Sequence, residues 1–208
     1  MINHTQEDVI KKWKESETNK PLVSIQCITY NHENYIGQAI DGFLMQKTNF
    51  SFEVIIHDDA STDKTASIIK EYELKFPKII KPIYETENQY SKHDGSLTRI
   101  MNKACQGKYI AFCEGDDYWI DPNKLQMQVD FLEAHPDYGM CYTKVKRYRQ
   151  KDNTFLHRTF GSEIIDFKDL LTNGNRIPTL VTCLKKGAPQ VYFISIFVEL
   201  AKARKFMV

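Results

Sequence analysis

The sequence predicts a single α/β domain in which a mostly parallel sheet is flanked by helices. Three observations carry that expectation. Apolar, β-rich runs alternate with segments of helical spacing, Gly, Pro and Asx residues punctuate them, and a polar cluster follows one strand after another. A chain of 208 residues, 42% of them hydrophobic, is long enough to bury one core of its own.

In chain order, Met1–Lys20 is polar and charged, and reads as a short helix or a tail, neither a signal peptide nor a membrane span. Leu22–Thr29 (LVSIQCIT) is the first strand; Ile36, Ile40, Phe43 and Leu44 then recur on one helical face. Phe52–His57 (FEVIIH) is the second strand and runs into Asp58 and Asp59. Ser61, Thr62 and Asp63 offer N-cap oxygens to a helix with the buried stripe Ile69, Tyr72 and Phe76, closed by Pro77. Ile79–Tyr84 is a third, shorter strand, and Glu85–Ser96 a polar loop. In the next helix Leu97, Ile100, Met101 and Ala104 share a face that excludes Arg99, and Gly107 stands at the C-cap. Tyr109–Cys113 is the fourth strand, leading into Glu114, Gly115, Asp116 and Asp117; Asp121 caps and Pro122 opens a helix carrying Leu125, Val129 and Leu132. Further on, Asp166 and Asp169 read as a cap and a first-turn acid before Leu170 and Leu171.

Composition removes several function classes. With 28 basic against 27 acidic residues there is no broad positive field to draw in a phosphate backbone, so nucleic acid is not an expected partner. Cys27, Cys105, Cys113, Cys141 and Cys183 are dispersed and odd in number, which suits reduced, buried thiols in a cytosolic protein. His32, His57 and His93 lack metal-ligand spacing and read as structural. Val191–Leu200 is apolar but about half the roughly 20 residues that cross a bilayer. A core element or partner contact is expected there, with peripheral membrane contact as the alternative.

Three polar sets, Tyr30 with Asn31, Asp58 with Asp59, and Glu114 to Asp117, fall at the carboxyl ends of successive strands. That edge of an open α/β sheet is where ligands bind, so the sets are expected to share one cleft. Carboxylates crowded as in Glu114–Asp117 are tolerable around a cation or a hydrogen-bonding ligand. Taken singly, Asp58, Asp59 and Asp63 also fit a turn and a cap, Tyr30 a packing aromatic, and Arg99 an ordinary exposed helix residue. Trp119 is expected to anchor its loop in the core.

Four blocks, VSIQCITYNHENYI, FEVIIHDDASTDKT, Arg99 with Asn102 ahead of GKYIAF, and EGDDYWIDPNKLQMQV, occur in an order and spacing that resembles the family 2 glycosyltransferases of the GT-A fold, a Rossmann-like α/β architecture. The resemblance runs from about Pro21 to Leu184. It implies transfer of a sugar, with inversion, from a UDP-sugar donor to a carbohydrate or lipid-linked acceptor. The expected setting is bacterial cell-surface polysaccharide synthesis, in the cytoplasm or at the inner face of the membrane, with Mg²⁺ or Mn²⁺ as cofactor. By position, Tyr30 corresponds to the aromatic residue over the base, with Asn31 shaping its loop. Asp59 corresponds to the acceptor of the uracil imide N–H, Asp58 to a residue that orients the turn, and Arg99 to a basic residue near the base and diphosphate. Glu114 and Asp116 stand at the ends of the DxD motif, Glu114 replacing its first Asp and directed to a ribose hydroxyl, while Asp116, with Asp117, would hold the metal.

The resemblance also implies a division into an N-terminal helix or tail (1–20), a nucleotide-sugar-binding subdomain (21–122), the start of an acceptor-binding subdomain (123–184) and an atypical segment (185–208). Since it fades after Leu184, the C-terminal half is expected to be incomplete, and the catalytic base, which the family places there, is assigned to no residue. Glu199 is the one acid of 185–208. Two other readings stay open, as does a homo-oligomer. A non-catalytic nucleotide-sugar-binding fragment is one; a sugar nucleotidyltransferase is the other, although TYNHENY stands where a Gly-rich, basic triphosphate loop would be needed.

Overall fold

Strands Val23–Thr29 (β1) and Phe52–Asp58 (β2) are buried almost without interruption, because helices cover both faces of this part of the sheet. The structure, a computed structural model, describes residues 5–14, 19–143, 147–149, 151–152, 154–156, 164–165, 182–187 and 192–196. Around β1 and β2 it places α1 (Gln6–Ile10), α2 (Ile36–Leu44), α3 (Thr65–Lys75), β3 (Ile80–Tyr84), α4 (Ser96–Ala104), β4 (Tyr109–Phe112) and α5 (Lys124–Ala134). The later strands are β5 (Tyr138–Thr143), β6 (Arg147–Arg149), β7 (Thr154–Leu156), β8 (Ile164–Ile165), β9 (Thr182–Lys185) and β10 (Tyr192–Ile196).

Side chains alternate between two cores, as the pleat requires. Val23, Ile25 and Cys27 of β1, Val54 and Ile56 of β2, and Tyr109 and Ala111 of β4 join the larger cluster with α2, α3 and α5. Ile55 and Ile110 point the other way, onto Leu97, Met101 and Cys105 of α4 and its end. The apolar positions expected for α2 are all buried, as are Ile69, Tyr72 and Phe76 of the next unit and Leu125, Val129 and Leu132 of α5. Each such side chain contributes on the order of 1.5–3 kcal/mol by leaving water. The N-terminal segment is more than a tail: Val9 is buried and Trp13 meets Phe52 edge-on at 5.2 Å.

The sheet order is β3-β2-β1-β4-β9-β5-β10-β8. β2 and β4 pair parallel with β1, β3 with β2, and β10 with β5, whereas β9 runs antiparallel between β4 and β5 and β8 antiparallel to β10. The mostly parallel sheet is therefore as expected. From β1 the chain steps outward to β2 and β3, then returns to lay β4 on the other flank of β1. The strand order reverses between β1 and β4, and the carboxyl ends of strands at such a switch point are where open α/β sheets bind ligands.

Some local expectations change. α3 starts at Thr65 with Lys64 at its N-cap and no side-chain cap, Asp63 Oδ1 accepting the Thr65 N–H at 2.9 Å from the turn before it; α5 starts two residues past Pro122. Gly107 does not cap α4 in a left-handed conformation. It is required by close approach, since a Cβ there would lie 2.5 Å from Ser24 N. Residues 192–196, inside the apolar run Val191–Leu200, form a strand of the sheet. Asp166 and Asp169 lie outside the described residues, and among those described no helix is long and apolar enough to cross a membrane.

Candidate functional site

Beyond the end of the ladder, β1 still binds both neighbours. Thr29 O accepts the Asp59 N–H at 2.9 Å, and Ile28 O accepts the Gly115 N–H at 2.9 Å. The segments after β1, β2 and β4 are thus fused at one rim, which brings Tyr30, Asn31, Asp58, Asp59 and Glu114–Asp117 together. Arg99 differs: its side chain is exposed, and it donates from Nη1 to Asp94 O at 2.7 Å, with Nη2 3.8 Å from Asp94 Oδ2.

Six hydrogen bonds zip the loop after β1 to the loop after β2. Asn31 takes a left-handed conformation (φ 53°) that short amide side chains tolerate, and its Oδ1 accepts from Thr62 N at 2.8 Å while its N–H donates to Ser61 Oγ at 2.9 Å. His32 N–H donates to Thr65 Oγ1, and Glu33 N–H to Asp63 Oδ2. Asn31 thus ties this loop to the next, and Tyr30 beside it is 44% exposed, so it is not a packing aromatic of the core.

Asp58 Oδ1 accepts from Ser61 N at 3.3 Å, a bond that spans the turn after β2. Asp59, 1% exposed, has its carboxylate in the hands of another segment: Oδ1 accepts from Gln89 N at 2.6 Å and Oδ2 from Tyr90 N at 3.0 Å. Asn88 Nδ2 adds a bond to Asp59 O. A carboxylate offers about four lone-pair sites, so each oxygen keeps acceptor capacity after these two bonds. Sequence reasoning missed Gln89 and Tyr90 because backbone donors carry no side-chain signature.

The third set converges on itself. Carboxylate oxygens of Glu114, Asp116 and Asp117 all lie within 4.8 Å of one another, Asp117 buried and the other two half-buried. At an effective dielectric of ~20, charges this close repel by roughly 3 kcal/mol per pair. A hard divalent cation relieves that repulsion, and three carboxylate oxygens are the donors it takes. The same negative charge reaches Cys27 behind the loop, whose thiol is pushed up by burial and then by Asp116, Glu114 and Asp117.

Gly115 permits the convergence. A Cβ at this position would sit 2.6 Å from Thr29 Oγ1 and 3.1 Å from His32 Nδ1, so the loop reaches β1 only without a side chain. Thr29 Oγ1 and His32 Nδ1 are themselves buried without a hydrogen-bond partner, at the base of the acidic loop. Both are rim residues: His32 was read from the sequence only as structural and Thr29 was not singled out, although their place in ITYNHENY, next to Tyr30 and Asn31, is the signal that was available.

Behind the loop, Trp119 is buried edge-on against Phe43 at 5.0 Å, the anchor expected of it. Lys124, wholly buried, places Nζ 4.0 Å above the Trp119 ring and donates to Gln128 Oε1 at 2.6 Å. Burial pushes its ammonium down to about 8. Gln46 completes the brace, accepting from Leu125 N at 3.0 Å and donating to Asp121 O at 2.8 Å.

Comparison with known proteins agrees with this layout. TuaG of Bacillus subtilis (strain 168), named for teichuronic acid biosynthesis, is 38% identical over 165 residues, which cover 79% of this chain and 61% of TuaG. Against other curated relatives the chain spans as little as 35% of their length. Among solved structures, S. aureus TarS 1-349 in complex with UDP-GlcNAc superposes with a TM-score of 0.68 at 18% identity, covering 89% of this chain and 59% of that one. The mannosyltransferase PcManGT from Pyrobaculum calidifontis, in complex with GDP-Man and Mn²⁺, gives 0.57 at 19% identity, over 84% of this chain and 47% of that one. These likenesses establish a shared GT-A type fold. The sequence model described as Glycosyl transferase family 2 matches residues 24–192, and the chain belongs to that family.

Proposed function

We propose that this chain carries the donor site of a glycosyltransferase that moves a sugar from a UDP-sugar to a carbohydrate or lipid-linked acceptor, with inversion, in cell-surface polysaccharide synthesis. The observation that carries the reading is the convergence of Glu114, Asp116 and Asp117 at the β1/β4 crevice, on the same rim as Tyr30 and Asp59. The TarS structure with UDP-GlcNAc and the PcManGT structure with GDP-Man and Mn²⁺ support a nucleotide-sugar and a divalent cation here.

In this reading each group has a task set by its surroundings. Tyr30, held outward by the zipped loops, stacks on the base. Asp59, fixed by two amides, accepts the uracil imide N–H on a remaining lone pair, while Asp58 keeps the turn in place. Glu114 reaches a ribose hydroxyl. Asp116 and Asp117 hold Mg²⁺ or Mn²⁺, which would supply positive charge to the diphosphate as it leaves. Arg99, held by Asp94 in this structure, is the basic residue this reading assigns to the anionic part of the ligand.

The experiment is a thermal-stability screen with UDP, GDP and TDP, each with Mn²⁺ and with EDTA. UDP with Mn²⁺ at about a hundred times its Kd should add about 2.7 kcal/mol. For a chain of this size that is a rise of roughly 5–10 °C. A panel in which no nucleoside diphosphate shifts the transition, or in which EDTA leaves the UDP shift intact, overturns the donor-site reading or its metal.

A further inference from the structure

Two tyrosines flank Asp59, and only one belongs to the loops described so far. β1 and β3 border β2 on opposite sides. Tyr30 reaches the end of β2 from the β1 side, one residue beyond Thr29, whose carbonyl accepts the Asp59 N–H. Tyr90 reaches it from the β3 side, its own N–H donating to Asp59 Oδ2 at 3.0 Å.

The segment bearing Tyr90 is a built loop. Glu85 N–H donates to Asp58 O at 2.9 Å, Ser91 N–H to Asn88 Oδ1 at 2.7 Å, Gln89 Nε2 to Glu87 O at 2.9 Å, and Ser96 N–H to Asp94 Oδ1 at 2.8 Å. A short 3₁₀ turn, Tyr90–Lys92, ends in His93 with φ 52°, and the His93 ring meets Tyr90 edge-on at 5.8 Å. Tyr90 is nonetheless 67% exposed. Its ring serves no core, yet its backbone is fastened to a buried carboxylate. A lone exposed aromatic is ordinary. Two exposed aromatics carried on opposite sides of one fixed acceptor are the parts from which a stacking site for a flat, hydrogen-bonding ring is built.

We propose that Tyr90 is a second stacking residue of the nucleoside-diphosphate subsite, working from the β3 side of Asp59 as Tyr30 does from the β1 side. The inference rests on the donor-site reading above and extends it to the Glu85–Ser96 segment. Stacking tolerates any base, so Tyr90 adds affinity while the choice of base stays with Asp59.

Calorimetry tests this by titrating the wild-type chain, Tyr90→Ala and Tyr90→Phe with UDP and, separately, with inorganic pyrophosphate, both with Mn²⁺. Tyr90→Ala should weaken UDP by about tenfold, leave pyrophosphate within about twofold, and Tyr90→Phe should bind UDP as the wild type does. Thermal transitions without ligand should coincide, since the ring is exposed. If wild type prefers UDP to pyrophosphate but Tyr90→Ala binds UDP unchanged, or loses both ligands equally, Tyr90 does not stack and this inference alone falls. If wild type does not distinguish UDP from pyrophosphate, there is no base subsite, and the donor reading falls with it.

Discussion

Asp58–Asp59 and Glu114–Asp117 look alike in sequence, each an acidic cluster directly after a buried strand, but the fold surrounds them in opposite ways. The Asp58–Asp59 pair is met by backbone N–H groups from Ser61, Gln89 and Tyr90, so protein dipoles fix its charge in place. The carboxylates of Glu114, Asp116 and Asp117 instead face one another within 4.8 Å. The first cluster organises loops and presents a fixed acceptor; the second brings three carboxylates together, the donor set that the proposed cation would use. Cation dependence should therefore follow the second cluster, and loop order the first.

Removal of a charge from each cluster separates the two most sharply. Asp116→Ala should weaken UDP in the presence of Mn²⁺ by about a thousandfold, the loss expected when a group stabilising a diphosphate is deleted. Its urea stability without ligand should hold or rise, because repulsion is relieved. A ligand-free variant clearly less stable than wild type would break the comparison.

Beneath the second cluster, Lys124 gives a pH signature. Its ammonium falls from 10.5 to about 8 on burial, so between those values the unfolded chain holds the proton that the folded chain has released. Folding is therefore favoured as pH rises through that window, by roughly 3 kcal/mol in all. Tyr72, Tyr84 and Tyr109, whose hydroxyls burial pushes up, act in the opposite sense at higher pH. The useful quantity is the difference from Lys124→Met: wild type should gain on the variant from pH 8 to 10.5, and parallel stability curves would show that the folded chain holds the Lys124 proton as tightly as the unfolded chain does.

Asp59→Ala should cost about 2 kcal/mol in urea unfolding, since it strands the Gln89 and Tyr90 amides that its carboxylate accepts. Hydrogen exchange in residues 86–96 should accelerate while Mn²⁺ affinity stays at the wild-type level. Exchange unchanged there would mean that Asp59 does not hold the loop. The smallest effect belongs to Gly115→Ala: crowding Thr29 Oγ1 should cost about 1 kcal/mol and lower Mn²⁺ affinity by displacing the acidic loop. A variant that matches wild type in both would show that the loop has room to spare.

Much of this was legible before the fold was seen. β1 to β4 fall within a residue or so of their expected bounds, most plainly β1 and β2, since a parallel strand buried on both faces leaves a nearly unbroken apolar run. The polar residues at their ends could be gathered on one rim from topology alone. Legibility failed where contacts join distant segments. β9 enters between β4 and β5 through the pairings Ala111↔Cys183 and Cys141↔Cys183, and a four-residue strand gives no periodicity to foretell its neighbours. The amides of Gln89 and Tyr90, the orphan Thr29 hydroxyl and the buried Lys124 depend likewise on three-dimensional placement. Gly107 was read as a cap, yet it is glycine because β1 passes too close for a side chain.

The central claim, that the second cluster grips a cation against a nucleotide's diphosphate, is tested most directly by a crystal grown with Mn²⁺ and UDP, measured at the manganese absorption edge. An anomalous peak bonded to Asp116, with diphosphate oxygens on its other side and uracil on the rim beside Asp59, is the expected result. Manganese bound elsewhere, or UDP seated away from the β1/β4 crevice, would contradict it.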